Sequence, residues 1–264
     1  MYSSTFLWLA VIRFVFGMAL LIVPLPARTQ TLRIAAAADL QYVMPELIKG
    51  FVQKHPKVRL EVVYGSSGNF TMQIQSGAPF DVFFSADMRY PTRLSDVGLT
   101  TAKPQRYATG QMVVWIAAQS LQSIQAGVRP MNLHFLRHPG IRRIAIANPL
   151  HAPYGERAQE ALKTLNLWTI VENRLVKADN VAQAAQFAAT DNVEAAIISL
   201  SQAMIPALTA KGKYALINKT LYSPLEQGVV ILSRSKERVL AEKFIRYICS
   251  SEGALVLTQF GFLP

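Results

Sequence analysis

Short apolar runs rich in β-branched residues alternate with helical patterns along the sequence, and this alternation restricts the fold more than any other feature. Alternation at this spacing is typical of βαβ units, in which mostly parallel sheets are flanked by helices. The predicted strands are Leu32–Ala37, Val58–Val63, Val82–Ser85, Met112–Ala117, Arg143–Ala147, Ala195–Ile198 and Val229–Ser233. The predicted helices are Leu40–Lys54, Phe70–Ser76, Arg89–Val97, Glu156–Leu165, Val181–Ala189 and Glu237–Ser250. The sequence therefore predicts an α/β fold, and since no linker rich in Pro, Gly or Ser divides it, two domains would be joined by crossing strands.

The first 27 residues have the layout of a secretory signal peptide. Arg13 precedes the apolar run Phe14–Val23, and Pro24–Ala27 supplies small or turn-forming residues near a cleavage point. A retained membrane anchor is the alternative, because the apolar stretch counted from Phe6 is about 18 residues long, near the minimum for a transmembrane helix. We expect residues 1–27 to be removed and the mature protein to be periplasmic.

The chain is basic, with a formal net charge of +11, and a basic chain is a candidate for nucleic acid binding. Its positive charges are scattered, and the densest cluster, Arg137–Arg143, is short and is interrupted by Pro139 and Gly140. No nucleic-acid-binding motif accompanies this cluster, so we expect no nucleic acid partner. Cys249 is the single cysteine, which excludes an internal disulfide and leaves packing to stabilise the fold.

Four junctions between a predicted strand and the following helix contain small, polar or turn-forming residues without Lys or Arg. These junctions are Ala36–Asp39, Gly65–Asn69, Asn148–Gly155 and Ala178–Val181. In open α/β sheets, ligands bind beyond the carboxyl ends of strands, where the next helix offers unpaired N–H groups. Helix capping explains each junction alone, whereas four of them in one secreted chain without a catalytic set predict a bound anion.

The sequence gives little support to catalytic or metal chemistry. Ser67 lies in Gly65–Asn69, which lacks the last Gly of the Gly-x-Ser-x-Gly nucleophile motif, and only one histidine, His151, lies in a candidate site loop. His134 and His138 have the spacing of a helical metal pair but lack the intervening Glu and a third ligand. We therefore predict no enzyme activity, no catalytic residue, no metal and no cofactor, with a secreted serine hydrolase as a less favoured alternative.

Four motifs in the sequence resemble those of the periplasmic molybdate-binding proteins of ABC importers. They are Ile34–Leu40 (IAAAADL), Tyr64–Phe70 (YGSSGNF), Gly77–Asp87 (GAPFDVFFSAD) and Gln259–Phe262 (QFGF). The motifs keep one order over essentially the whole mature chain, and GAPFDVFFSAD is the most specific of them. The resemblance implies the two-lobed type II periplasmic-binding-protein fold, with a ligand cleft between the lobes. It also implies a protein, expected to be a monomer, that delivers an oxyanion to a membrane permease.

We expect the first lobe to comprise residues 28–110 and 228–264, and the second lobe to comprise residues 111–227. The resemblance places five residues of these lobes around the oxyanion. They are Asp39, Ser67, Tyr154, Val181 and Ser199. Ser67 would offer its hydroxyl and its N–H group, and Tyr154 and Val181 would offer backbone N–H groups. Asp39 stands where many members of the family have Ser, and Ser199 stands where many have Tyr.

A deprotonated tetrahedral dianion has only acceptor atoms, so neutral N–H and O–H donors at helix N-termini suit it without a buried cation. Molybdate or tungstate is therefore the predicted ligand. The carboxylate of Asp39 would repel a dianion, and we expect it to turn away and cap the helix predicted to begin at Leu40. The alternatives are phosphate or arsenate, whose proton Asp39 would accept, and sulfate, which has the shape of molybdate but is smaller.

Overall fold

The computed structural model describes residues 30–123 and 132–264, so the predicted signal peptide at residues 1–27 lies outside the described residues. The strands are β1 (Gln30–Ala37), β2 (Val58–Gly65), β3 (Val82–Ser85), β4 (Gln105–Gly110), β5 (Met112–Ala117), β6 (Ile144–Ala147), β7 (Leu175–Ala178), β8 (Ala195–Ser199), β9 (Gly212–Leu216) and β10 (Leu225–Ile231). The α-helices are α1 (Met44–Lys54), α2 (Ser67–Gln75), α3 (Arg89–Asp96), α4 (Ala118–Ser123), α5 (Pro153–Thr164), α6 (Trp168–Val171), α7 (Val181–Ala189), α8 (Leu200–Ala203), α9 (Pro206–Thr209), α10 (Arg238–Ile248) and α11 (Ser251–Gln259). Short 3-10 turns occur at Ala38–Leu40, Leu133–Arg137, Glu172–Arg174 and Lys219–Leu221.

The strands form two five-stranded sheets of the same design. Sheet I has the order β2-β1-β3-β10-β4, and sheet II has the order β7-β6-β8-β5-β9. In sheet I, β1 pairs in parallel with β2 and β3, whereas β10 is antiparallel to both β3 and β4. In sheet II, β6 pairs in parallel with β7 and β8, whereas β5 is antiparallel to β8 and β9. Four strands of each sheet therefore run in one direction, and the predicted α/β fold with mostly parallel sheets is confirmed.

The chain crosses between the two sheets twice. Gln111 alone separates β4 of sheet I from β5 of sheet II, and residues 217–224 lead back from β9 to β10. We call the parts of the chain built on the two sheets lobe I and lobe II, and this two-lobed arrangement agrees with the predicted one. The lobe limits by residue number stay a prediction. The limit expected between Gln227 and Gly228 lies inside β10, where the register of its pairing with β4 shifts.

Hydrophobic cores cover both faces of sheet I and surround sheet II. Successive residues of a strand point to opposite faces, and accordingly Ile34 of β1 belongs to the cluster that contains Phe51, whereas Ala35 belongs to the cluster that contains Phe70. In lobe II, a single large cluster surrounds the fully buried Trp115. Sheets buried on both faces are the usual form of mostly parallel sheets, and they give the loops at their strand ends a rigid base.

All seven predicted strands are present, and the sequence pattern misses β4, β7 and β9. These three are edge strands, and of the four edge strands only β2 is predicted. An edge strand has one neighbour and is partly exposed, so its sequence carries a weak apolar signal; β9, for example, exposes Lys213, Tyr214 and Leu216. The predicted helix at Glu237–Ser250 also differs from the structure, because Ser250 caps a separate helix, α11, by accepting the Gly253 N–H group.

Candidate functional site

A small cavity lies between the two lobes, where the ends of their strands face each other. It is lined by residues 37–39 and 65–67 of lobe I, by Ala86, and by residues 152–154 and 180–181 of lobe II. Apart from Ala86, these residues belong to the four strand-to-helix junctions that the sequence singles out. The structure therefore brings all four junctions to one place.

Ser67 reaches this cavity as the first residue of α2, which begins three residues earlier than predicted. The helix starts here because the Oγ atom of Ser66 caps it by accepting the Asn69 N–H group. The side chain of Ser67 is fully buried, and its Oγ atom accepts a 3.0 Å hydrogen bond from the Ala86 N–H group. Since Ser67 Oγ is an acceptor in that contact, its own hydrogen is left to donate to another acceptor.

Two further helices begin at the cavity, from lobe II. Helix α5 starts with Pro153 followed by Tyr154, and α7 starts with Val181 after its capping residue, Asn180. Asn180 Oδ1 accepts the two N–H groups that follow that of Val181, both at 3.0 Å. The first N–H groups of a helix have no acceptor within the helix, so those of Tyr154 and Val181 are suited to donate to a ligand. The N-terminal ends of the helices add a partial positive charge.

Asp39 is fully buried at the cavity, and the prediction that it caps a helix is wrong. It lies in the 3-10 turn Ala38–Leu40, and α1 begins one turn later, at Met44, without a side-chain cap. Its carboxylate also accepts hydrogen bonds from two side chains that are distant in the sequence. Asp39 Oδ2 accepts a 3.0 Å hydrogen bond from the Tyr154 hydroxyl and another from the Gln227 amide. Asp39 Oδ1 is buried and has no hydrogen-bond partner among the described residues.

Burial raises the pKa of Asp39 from 3.8 to about 6, because a charged carboxylate is poorly solvated inside the protein. The hydrogen bonds from Gln227, Tyr154 and the backbone N–H groups of Asp39 and Leu40 act in the opposite direction, since they stabilise the charged form. Burial and the neighbouring carboxylate also raise the pKa of the Tyr154 hydroxyl well above its usual value. At neutral pH, Tyr154 is therefore a neutral donor to a carboxylate that is mostly ionised.

Ser199 is the predicted site residue that the structure does not place in the lining of the cavity. It ends β8 and caps α8, with its Oγ atom accepting the Gln202 N–H group and lying 3.0 Å from Ser201 Oγ. The Ser201 hydroxyl donates to the Asp39 carbonyl at 2.8 Å, and the Gln202 amide donates to the Ala38 carbonyl at 2.9 Å. The Ser199 segment thus holds the Asp39 turn in place from lobe II.

Sequence reasoning missed two contributors to the site, Gln227 and Ala86. Gln227 is fully buried in β10, where its amide donates to Asp39 and its carbonyl accepts a 2.5 Å hydrogen bond from the Tyr107 hydroxyl. The available signal was a polar amide within the largely apolar run Leu225–Ile231. Ala86 acts only through its backbone, which side-chain patterns do not reveal.

The cavity offers neutral donors and no catalytic pair. Its described lining contains no Lys, Arg or His side chain, and Asp39 is its one carboxylic acid. His151 Nδ1 lies 3.0 Å from Ser66 Oγ rather than from Ser67, and no described carboxylate is hydrogen-bonded to His151. Such a site is suited to bind a small anion, because an anion needs donors and no nucleophile.

The described part of the chain also holds no candidate for a metal centre or a membrane span. Among residues 30–123 and 132–264, no three side chains of His, Cys, Asp or Glu are grouped so as to hold a metal ion. His134 and His138, the candidate metal pair, lie in and just after the 3-10 turn Leu133–Arg137, where the α-helical spacing no longer applies. None of the helices in these residues is long and apolar enough to cross a membrane.

Comparison with known proteins agrees with this geometry. A family model described as bacterial extracellular solute-binding protein matches residues 32–263. The chain belongs to this family. This solute-binding protein is 31% identical over 237 residues to the molybdate-binding protein ModA of Azotobacter vinelandii, covering 89% of this chain and 91% of the relative. It is 28% identical over 240 residues to ModA of Rhodobacter capsulatus, with 90% of each chain covered.

The solved structure of the periplasmic molybdate-binding protein of Azotobacter vinelandii has the same fold. It matches this solute-binding protein with a TM-score of 0.79 at 27% identity, covering 88% of this chain and 99% of that chain. The relatives are named as binding proteins, and this member of the solute-binding family is no enzyme and carries no cofactor. The alternative of a serine hydrolase is not supported.

Proposed function

We propose that this protein binds molybdate or tungstate and delivers it to the permease of an ABC importer. The observation that carries the proposal is the convergence of three helix N-termini, at Ser67, Tyr154 and Val181, on one cavity between two lobes. The relatives named as molybdate-binding proteins support the choice of oxyanion. The periplasmic location rests on the signal-like residues 1–27 and on the relative described as periplasmic.

In this proposal, the oxyanion accepts hydrogen bonds from Ser67, through its hydroxyl and N–H group, and from the N–H groups of Asp39, Tyr154 and Val181. Neutral donors at fixed positions select a ligand by its radius and by its protonation state. A buried Lys or Arg would have to be desolvated, and its charge would attract many different anions. Ser199 supports the Asp39 turn and is not proposed as a direct ligand.

The ligand would also hold the lobes together. Asp39 and Ser67 belong to lobe I, whereas Tyr154 and Val181 belong to lobe II, so an anion that contacts all four favours the closed arrangement by its differential affinity. Small-angle scattering of the mature protein should show compaction when molybdate is added. An unchanged radius of gyration with ligand bound would contradict this mechanism.

A second candidate ligand is a protonated oxyanion, hydrogen phosphate or hydrogen arsenate. The observation in its favour is Asp39 Oδ1, which is fully buried beside the cavity and has no hydrogen-bond partner among the described residues. A ligand that carries a proton would donate to this oxygen, whereas a fully deprotonated dianion has nothing to donate. We favour molybdate because the relatives support it.

Isothermal titration calorimetry with a panel of oxyanions tests the proposal. The mature chain, lacking residues 1–27, is titrated with molybdate, tungstate, sulfate, phosphate and arsenate under the same conditions. We expect one-to-one binding of molybdate and tungstate, and no measurable binding of phosphate or arsenate. Tight binding of phosphate without binding of molybdate would overturn the assignment in favour of the second candidate.

A further inference from the structure

Two ion pairs connect the lobes beside the proposed oxyanion cavity. In lobe I, Arg89 begins α3 and Asp87 lies two residues before it. In lobe II, Glu156 and Arg157 lie in α5. Arg157 Nη2 is 2.7 Å from Asp87 Oδ2, and Arg89 Nη2 and Nη1 are 2.5 and 3.1 Å from the two carboxylate oxygens of Glu156. We call these four residues the interlobe clasp.

The buried pair of the clasp connects two walls of the cavity. Asp87 directly follows Ala86, whose N–H group holds the hydroxyl of Ser67, and Arg157 lies one helical turn after Tyr154. The side chains of Asp87 and Arg157 are only 5% and 6% exposed. Neither residue lines the cavity, so neither contacts the ligand there. Their pairing instead connects the side of the cavity that contains Ser67 to the side that contains Tyr154.

Each charge of the buried pair also has a partner within its own lobe. In lobe I, Arg89 Nε is 3.0 Å from Asp87 Oδ1, and Arg89 Nη2 is 2.6 Å from Asp87 Oδ2. In lobe II, Arg157 Nη1 is 2.7 Å from Glu160 Oε1. Opening the cleft would therefore break the contacts between the lobes without leaving an isolated buried charge, which would be strongly unfavourable. This arrangement suits a contact that forms and breaks repeatedly.

We propose that the interlobe clasp positions the two walls of the cavity and sets how long the bound oxyanion is retained. The ligand leaves when the lobes separate, and separation must break the charge-assisted bonds of the clasp. Removing one partner of a buried charge pair acts mainly on the dissociation rate. The proposal rests on the proposed function for the location of the ligand but not for the identity of the oxyanion.

Stopped-flow dissociation of molybdate tests the clasp with graded substitutions. We expect Glu156→Gln, which removes the half-exposed pair, to speed dissociation by about 2- to 5-fold. Arg157→Gln should speed it by about 30-fold or more, and Arg157→Lys should give an intermediate rate because it keeps the charge but loses the fork geometry. The matched control is Glu252→Gln, which makes the same charge change in an ion pair with Lys54 that lies within lobe I. Its dissociation rate should equal that of the wild type.

A double-mutant cycle separates the clasp from a general loss of structure. Arg89→Gln and Glu156→Gln alter partly exposed side chains, at 48% and 30% exposure, so both variants should fold. The effects of the two substitutions on dissociation should be less than additive, while thermal unfolding of each lobe stays close to that of the wild type. Additive effects, or a rate for Arg157→Gln equal to that of the wild type, would overturn the proposal.

A ligand-free measurement keeps the test independent of the proposed function. The distance between spin labels on the two lobes, in a Cys249→Ser background, should shift towards longer values in Glu156→Gln and not in Glu252→Gln. If the wild type fails to bind molybdate, the proposed function fails while this measurement still decides on the clasp. Identical distance distributions in the wild type and both variants would exclude the clasp, whichever oxyanion binds.

Discussion

The hydroxyl of Tyr154 in lobe II donates a 3.0 Å hydrogen bond to Asp39 Oδ2 in lobe I. Both side chains are buried, and Gln227 of β10 donates to the same oxygen. One carboxylate therefore connects the two lobes, and it also contacts β10, the strand by which the chain returns to sheet I. In the proposed closing mechanism, opening the cleft would separate Tyr154 from Asp39 and expose the carboxylate to water, so the environment of Asp39 would differ between the open and closed states.

The substitution Asp39→Asn tests which kind of anion the cavity accepts. Asn keeps an oxygen that accepts the Tyr154 hydrogen bond and removes a negative charge beside the proposed dianion. We therefore expect molybdate binding, measured by calorimetry, to stay equal or become tighter. Asp191→Asn is the control, since it makes the same charge change at an exposed ion pair with Lys211.

The opposite result would identify the second candidate ligand. If the cavity takes hydrogen phosphate or hydrogen arsenate, Asp39 accepts the ligand proton in a charge-assisted hydrogen bond. Asp39→Asn would then weaken that binding by about 1.5–3 kcal/mol, or roughly 10- to 150-fold. One substitution therefore gives effects of opposite sign for the two ligands.

The raised pKa of Asp39 predicts how the free energy of unfolding depends on pH. The pKa of Asp39 is raised from 3.8 to about 6 in the folded protein, so the folded state binds this proton more tightly than the unfolded chain does. The stability gained from the protonated form is complete below about pH 4 and is lost as the pH rises through about 6. Relative to Asp39→Asn, the wild type should therefore lose on the order of 3 kcal/mol in unfolding free energy between pH 4 and pH 7.

Chemical denaturation at several pH values measures this difference. Subtracting the curve of Asp39→Asn from that of the wild type cancels the titration of groups that the substitution leaves unchanged. The difference should fall with rising pH and level off above about pH 7. Parallel curves for the two proteins would show that Asp39 titrates at its ordinary pKa.

The fold could be predicted from the sequence because strands in the core are recognisable as continuous apolar runs. Strand β5, for example, is buried at every position from Met112 to Ala117 and is predicted with the observed bounds. The missed strands β4, β7 and β9 are sheet edges, where partial exposure weakens that signal. Helix starts were displaced where tight turns intervene, as at Ala38–Leu40, because local capping patterns do not show whether a 3-10 turn precedes the α-helix.

The loops that form the candidate site could be predicted from the sequence, but the side-chain contacts within the site could not. The four junctions could be found because strand ends of an α/β sheet gather on one side. The roles of Asp39 and Ser199 could not be found, since they depend on partners at sequence separations such as the 188 residues between Asp39 and Gln227. Long-range side-chain contacts of this kind leave no periodic pattern in the sequence.

The hydroxyl of Ser67 should contribute directly to binding. Ser67→Ala removes a hydroxyl donor from the cavity, and a hydrogen bond to a charged group contributes about 1.5–3 kcal/mol, so we expect affinity to fall by roughly 10- to 150-fold. The matched control is Ser66→Ala, which removes the cap of α2 and the contact with His151 but no proposed ligand contact. Calorimetry should show a much smaller change for Ser66→Ala. Equal losses for both variants would indicate a structural effect of the loop.

Gly68 should be required for full closure of the lobes. Its N–H group donates a 2.9 Å hydrogen bond to the carbonyl of His151 in the other lobe, and a Cβ atom at Gly68 would lie 2.6 Å from that carbonyl oxygen. Such a distance is far shorter than ordinary contact, and the obstacle is backbone that cannot rotate away. Gly68 lies within α2, where Ala favours the helix more than Gly does, so Gly68→Ala should leave the lobes folded while holding them apart.

We therefore expect Gly68→Ala to weaken oxyanion binding by about tenfold or more, equivalent to about 1.4 kcal/mol, with an unchanged or slightly raised unfolding temperature. Scattering of the variant with saturating ligand should give a larger radius of gyration than that of the ligand-bound wild type. Gly50→Ala is the control, because the atoms nearest to a Cβ atom there, beginning with the Tyr247 hydroxyl at 2.2 Å, belong to side chains of the same lobe, which can move aside. If Gly68→Ala has the affinity and the ligand-bound radius of gyration of the wild type, the two backbones can separate without loss of binding. The contact between Gly68 and His151 would then play no part in closure.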